Sequence, residues 1–133
     1  MSRVIKYGVI SLILLLAVVF FKFSSVYMAD SVDYTPSDWL EYRLLTPDEI
    51  KNAPHFSKIV MLHFRAADGP APESSQIEYD GQADTAGIQR YLESLGYHET
   101  EDPVMGKMWV KGDSDKGAFI TQTGESTKLT FIE

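Results

Sequence analysis

The sequence predicts an α+β protein: a single N-terminal transmembrane helix followed by a small two-layer domain, with a mostly antiparallel sheet and one main packed helix. Three observations predict it. Tyr7–Phe21 is an apolar run without a charge. Ile88, Tyr91, Leu92 and Leu95 form one helical stripe. Beyond Tyr97 the chain breaks into short strand-like segments divided by turns rich in Gly, Asp and Pro.

The apolar run comes first. Its fifteen residues would span roughly 22 Å as a helix, short of the ~30 Å hydrocarbon core. Continuing to Ala29 gives 23 residues and roughly 35 Å, enough to cross with some tilt. Lys22 lies within that extension, near enough to its end to snorkel its ammonium to the headgroups. The membrane segment is placed at 7–28, between a cytoplasmic start (1–6) and a spacer (29–35) that leads into an exported domain (36–133).

Arg3, Lys6 and the α-amino group precede the run, and only Lys22 lies near its far end. The positive-inside rule then keeps the N-terminus in the cytoplasm and exports the domain. A cleaved signal, releasing a soluble periplasmic domain, is the alternative. Cutting after Ala29 or Ser25 would place bulky Tyr27 or Phe23 where the peptidase prefers a small side chain. A retained signal-anchor is therefore expected.

Charge divides at the same place. All 19 acidic residues lie at or after Asp30, with nine of the 12 basic ones, so the exported part carries −10. Such a surface repels nucleic acid and anionic lipid headgroups, and favours soluble cationic partners or simply solubility. The chain has no cysteine, which excludes disulfide staples, thiol chemistry and lipid attachment through cysteine. That pattern suits a bacterial envelope protein of the inner membrane. About 100 residues support one core.

Two helix starts follow with one grammar. Thr35-Pro-Ser-Asp38 and Thr46-Pro-Asp-Glu49 each offer a Thr N-cap, Pro at the first helical position and an acid three residues on. Short helices are expected at 36–44 and 47–53. Trp39 and Tyr42 would share a face of the first, and Pro54 stops the second. Ile59–Leu62 is apolar without alternation, which predicts a central strand covered on both faces. Residues 66–75 read as a loop and 76–79 as a weak strand. Asp84 caps the main helix, and Gly96 supplies its left-handed terminus. Strands are expected at 97–101, 107–111, 117–123 and 127–132.

The chemistry-bearing residues form few constellations. His55 and His63 would lie on one strand about 26 Å apart, too far to share a metal ion, and no zinc-ligand spacing is present. Asp113-Ser-Asp115 lacks the later Glu of a calcium loop. Nucleophile-elbow and phosphate-loop signatures are absent. No catalytic residue, metal or cofactor is therefore expected. Glu99, Glu101 and Asp102 form an acidic edge; core packing is the default for Trp109, but an exposed Trp109 beside that edge would instead anchor a protein partner. These four residues are the candidate partner-binding site.

The layout is similar in kind to several bacterial envelope proteins: inhibitors of exported toxins (immunity proteins), accessory subunits of envelope machines and small sensors. The leading expectation is a membrane-anchored, non-enzymatic periplasmic interaction protein, an immunity-type inhibitor in its sharpest form. A structural or assembly subunit of an envelope complex is one alternative. A small periplasmic enzyme using His98, Glu99 and Glu101 is the other. It requires His98 to approach His55 or His63.

Overall fold

In the computed structural model, which describes residues 2–104, 106–112 and 114–133 and omits the side chain of Tyr27, the apolar run is one helix, α1 (Arg3–Tyr27). The Ser2 hydroxyl caps it by accepting from the Ile5 N–H at 3.4 Å. Its 25 residues rise about 37 Å, and it is long and apolar enough to cross a membrane.

Only Met28, Ala29 and Asp30 separate α1 from the first strand, β1 (Ser31–Tyr34). Four residues of the segment expected to be a spacer, Ser31–Tyr34, are thus part of the sheet. Val32 and Tyr34 turn towards the core and Asp33 turns away, an alternation too short to stand out in the sequence.

The remaining elements are α2 (Trp39–Leu45), α3 (Asp48–Lys51), β2 (Ile59–Arg65), β3 (Ser74–Asp80), α4 (Thr85–Ser94), β4 (Tyr97–Asp102), β5 (Gly106–Lys111), β6 (Gly117–Gln122) and β7 (Ser126–Ile132). The strands form one seven-stranded antiparallel sheet in the order β1-β2-β3-β7-β6-β5-β4. The fold class is as the sequence predicts: α+β, one long apolar helix followed by a sheet domain. Met105 and Asp113, which belong to the expected 102–106 and 112–117 turns, lie outside the described residues.

Strand register sorts the side chains into two faces. Tyr34, Leu62, Ile77, Leu129 and Ile120 line up across five neighbouring strands, and so do Phe64, Ser75, Phe131, Ala118 and Trp109. This face packs against Ile88 and Leu92 of α4 and Ile50 of α3, with Tyr42 and Leu45 of α2 at its margin. The other face, which includes Asp33, His63, Gln76, Thr130 and Phe119, carries none of α2–α4.

That division corrects the expectation for β2. The register slips between Ile59 and Met61, so Val60 is a bulge residue and stays 43% exposed. The bulge, rather than burial on both faces, explains the unbroken apolar run.

α4 forms as its stripe and caps require. Asp84 accepts from the Gly87 N–H at 3.1 Å, and Gly96 has φ +95°, a conformation that favours glycine. The two Thr-Pro starts behave differently from expectation. Helix α2 begins only at Trp39, and Asp38 reaches back to the Thr35 N–H at 2.9 Å. Thr46 caps nothing. Its buried hydroxyl pairs with the Tyr34 hydroxyl at 2.7 Å, so a tertiary contact displaces the local cap.

A second buried hydroxyl positions the entry to α4. Thr127, fully buried on β7, accepts from the Ala83 N–H (3.0 Å) and Gln122 Nε2 (3.0 Å) and donates to the Gly81 carbonyl (3.0 Å). Two backbone groups of the β3–α4 connection thereby gain partners inside the protein. Thr127→Val keeps the shape and removes all three bonds. We expect a loss of about 1–3 kcal/mol, read as a lower urea midpoint at unchanged slope. An unchanged midpoint would show that water replaces the hydroxyl.

Candidate functional site

The candidate residues at the acidic edge lie on β4, a terminal strand of the sheet. A terminal strand leaves one row of backbone N–H and C=O groups without a strand partner. Glu99 stands opposite Trp109 and Glu101 opposite Lys107, so both glutamates share the helix-bearing face, as their spacing implies. Lys107 Nζ lies 2.9 Å from Glu99. The Glu99 hydrogen bond and the charges of Glu99 and Glu101 hold the Lys107 ammonium's pKa above its ordinary value. Asp102 accepts from the Val104 N–H at 2.8 Å and so orders the turn that follows.

Trp109 takes its default place in the core and not the exposed one that a partner anchor needs. It is 5% exposed and belongs to the core, beside Ala118 in the next strand. Met108 and Val110 flank it, so composition alone could not tell which face of β5 would be buried. The register turns Trp109 inward, which removes it from the surface as a partner anchor. Met108 instead lies on the open face, where its ε-methyl and the Ile132 side chain close over Gly117. A Cβ at Gly117 would stand 2.8 Å from that methyl and 3.1 Å from Ile132 Cγ1.

His63 and His98 do not converge. His55 is exposed in the loop before β2, and His98 is exposed on β4. His63 lies on β2, five strand spacings from β4, or roughly 24 Å. His98, Glu99 and Glu101 are therefore not brought to His63.

His63 has a partner set that the sequence did not reveal. Its Nδ1 lies 2.7 Å from Asp33 Oδ1, and its Nε2 lies 3.1 Å from Glu78 Oε2. Asp33 is directly opposite on β1, and Glu78 is the diagonal neighbour on β3. The missing signal was β1 itself: without that strand nothing in the sequence brings Asp33 to His63. Both ring nitrogens face carboxylates, so the imidazolium, with two N–H donors, satisfies the geometry best. Partial burial lowers the His63 pKa, but the hydrogen bonds and charges of Asp33 and Glu78 outweigh it, and the net shift is upward from 6.5. This arrangement fastens the edge strand to the sheet. It also leaves neither ring nitrogen free for a metal or a substrate.

A cavity of about 220 Å³ opens at the end of the sheet, lined in part by Glu49, Glu73, Tyr97, Lys116 and Glu133. Lys116 lies 3.2 Å from Glu133 and 3.5 Å from Glu49. The Glu133 hydrogen bond, with the charges of Glu49 and Glu133, raises its pKa. A lysine held charged between two carboxylates is a structural tie and a poor base or nucleophile.

Comparison with protein-family models, with curated proteins and with solved structures finds no match to this chain. The reading of its function therefore rests on its own geometry.

The His63 arrangement predicts a pH dependence. A raised folded-state pKa contributes stability that is complete below the unfolded value of about 6.5 and disappears as pH rises through the folded value. The stability difference between the wild type and His63→Gln should be largest below about pH 6.5 and should shrink above that. Urea titrations at several pH values measure it. A difference that does not shrink as pH rises above about 6.5 would mean that His63 is not charged between its carboxylates.

Proposed function

We propose that this chain is a membrane-anchored interaction protein without catalytic activity, facing the periplasm of a bacterial cell, and that it receives a cationic protein partner at the β4 edge. The observation that carries the reading is the position of the acidic strip on a terminal strand. Glu99 and Glu101 share one face, where Lys107 stands opposite Glu101 and pairs with Glu99, and Asp102 follows them on the strand's other face. The domain around them carries −10, which steers a cationic partner towards this surface. The acidic side chains also discourage two copies from pairing edge to edge, while leaving the backbone open to a partner strand of opposite charge.

The anchor gives the reading its economy. β1 continues α1 at one edge of the sheet, and β4 is the opposite edge, six strand spacings or about 29 Å away. The tethered edge and the docking edge do not compete for the same surface. Confinement to the membrane raises the effective concentration of the strip wherever a partner crosses or acts on that membrane. Inhibition of an exported cationic toxin is the sharpest form of this function.

In-cell photocrosslinking from Thr100 on β4, from Ile13 in α1 and from exposed Arg90 on α4 tests the reading. A protein adduct from Thr100, lost in Glu99→Lys/Glu101→Lys and at high salt, and no equivalent adduct from Arg90, is expected. Adducts confined to Ile13 would favour an assembly subunit that makes its contact through the membrane helix.

A further inference from the structure

Helix α2 packs beside the C-terminal part of α1. Lys22 of α1 lies 3.5 Å from Glu41 of α2. Tyr42 and Leu45 turn to the core, yet Trp39 is 68% exposed. Trp39 and Tyr42, expected to share a face, are therefore divided between solvent and core. Between the two helices lies a groove of about 640 Å³. Val18, Val19 and Phe23 form one wall, and Trp39, Leu40 and Leu44 form the other. Lys22 and Arg43 also line it. Among the described residues Arg43 has no carboxylate within ion-pair distance, and Lys22 shares only Glu41.

Resting on the reading that α1 spans the bilayer, the groove has a definite environment. Val18 and Val19 belong to the apolar run, and Lys22 is the first charge after it. This places α2 at the level where hydrocarbon gives way to headgroups. Trp is favoured at that level, since its ring is apolar and its N–H polar. Two cations stand at the same height in a domain that otherwise carries net negative charge.

We propose that α2 lies in the headgroup layer and that the α1–α2 groove seats a membrane phospholipid. Its acyl chain runs against Val18, Val19, Trp39, Leu40 and Leu44. Its phosphodiester oxygens take hydrogen bonds from Lys22 and Arg43. The sheet domain then lies on the bilayer in one orientation, instead of swinging on its anchor.

The full chain reconstituted into liposomes of phosphatidylethanolamine and phosphatidylglycerol tests this, with one set carrying acyl chains brominated near the headgroup. Trp109 is buried in the core, so the signal that differs between the wild type and Trp39→Phe reports Trp39. A Trp109→Phe variant isolates the same signal where it folds. Several-fold quenching of Trp39 by the brominated lipid, with little quenching by aqueous iodide, is expected. Arg43→Glu should weaken the lipid quenching and Arg43→Lys should retain it. Ready quenching of Trp39 by iodide, with none by brominated lipid, would overturn the proposal while leaving the anchor intact. So would a crosslink showing a second copy seated over Trp39. A chain that fails to float with the liposomes would overturn the anchor as well.

Discussion

The three residues between α1 and β1 are the constraint on which the structure depends. A long apolar helix that ends at Tyr27 and a strand that begins at Ser31 leave no room for a flexible tether. The Ala66 N–H donates to the Asp30 carbonyl at 2.8 Å, which extends the strand contacts almost to the end of the helix. β1 must then pair with β2 close to the end of that helix; β3 follows outward, while β4 forms the far edge and β5, β6 and β7 fill the sheet back towards β3. Val26 is buried, and Lys22 meets Glu41. The helix is thus held by α2 as well as by the strand that continues it.

Two kinds of interaction fasten that edge. On the helix-bearing face, Val32 and Tyr34 join the core, and the Tyr34–Thr46 hydroxyl pair ties β1 to the start of α3. On the open face, Asp33 reaches His63, and Glu78 holds the other side of the imidazole. A four-residue strand offers few backbone bonds of its own, so side chains on both faces supply the attachment. The core beyond it follows from one apolar face covered by α4 and α3. Burial there is deep enough to push the Tyr79 phenol up to about 12.

Much of this was legible in the residues. α1 and α4 announce themselves by length, stripe and caps, because those signals are local and act along one helix. The last four strands were legible because glycine-bearing turns bracket them. Other features depend on distant partners and were not legible. The Thr46 hydroxyl suits a helix cap in sequence, but Tyr34 claims it in space. Val60 disguises a bulge as a buried run. Trp109 sits in an apolar triplet whose inward face is chosen by pairing with β4 and β6. The acidic strip was visible as charge, yet its place on a terminal strand is a property of the strand order alone.

The central claim is that the domain works while held, by an uncleaved helix, on the outer side of the membrane. The chain has no cysteine, so single cysteines can report topology without background. The decisive measurement introduces Ser2→Cys or Glu93→Cys and applies a membrane-impermeant maleimide to spheroplasts. The account predicts labelling at position 93 in intact spheroplasts, labelling at position 2 only after lysis, and both on a full-length chain in the membrane fraction. Labelling at position 93 on a shortened, soluble chain, or only after lysis, would contradict it.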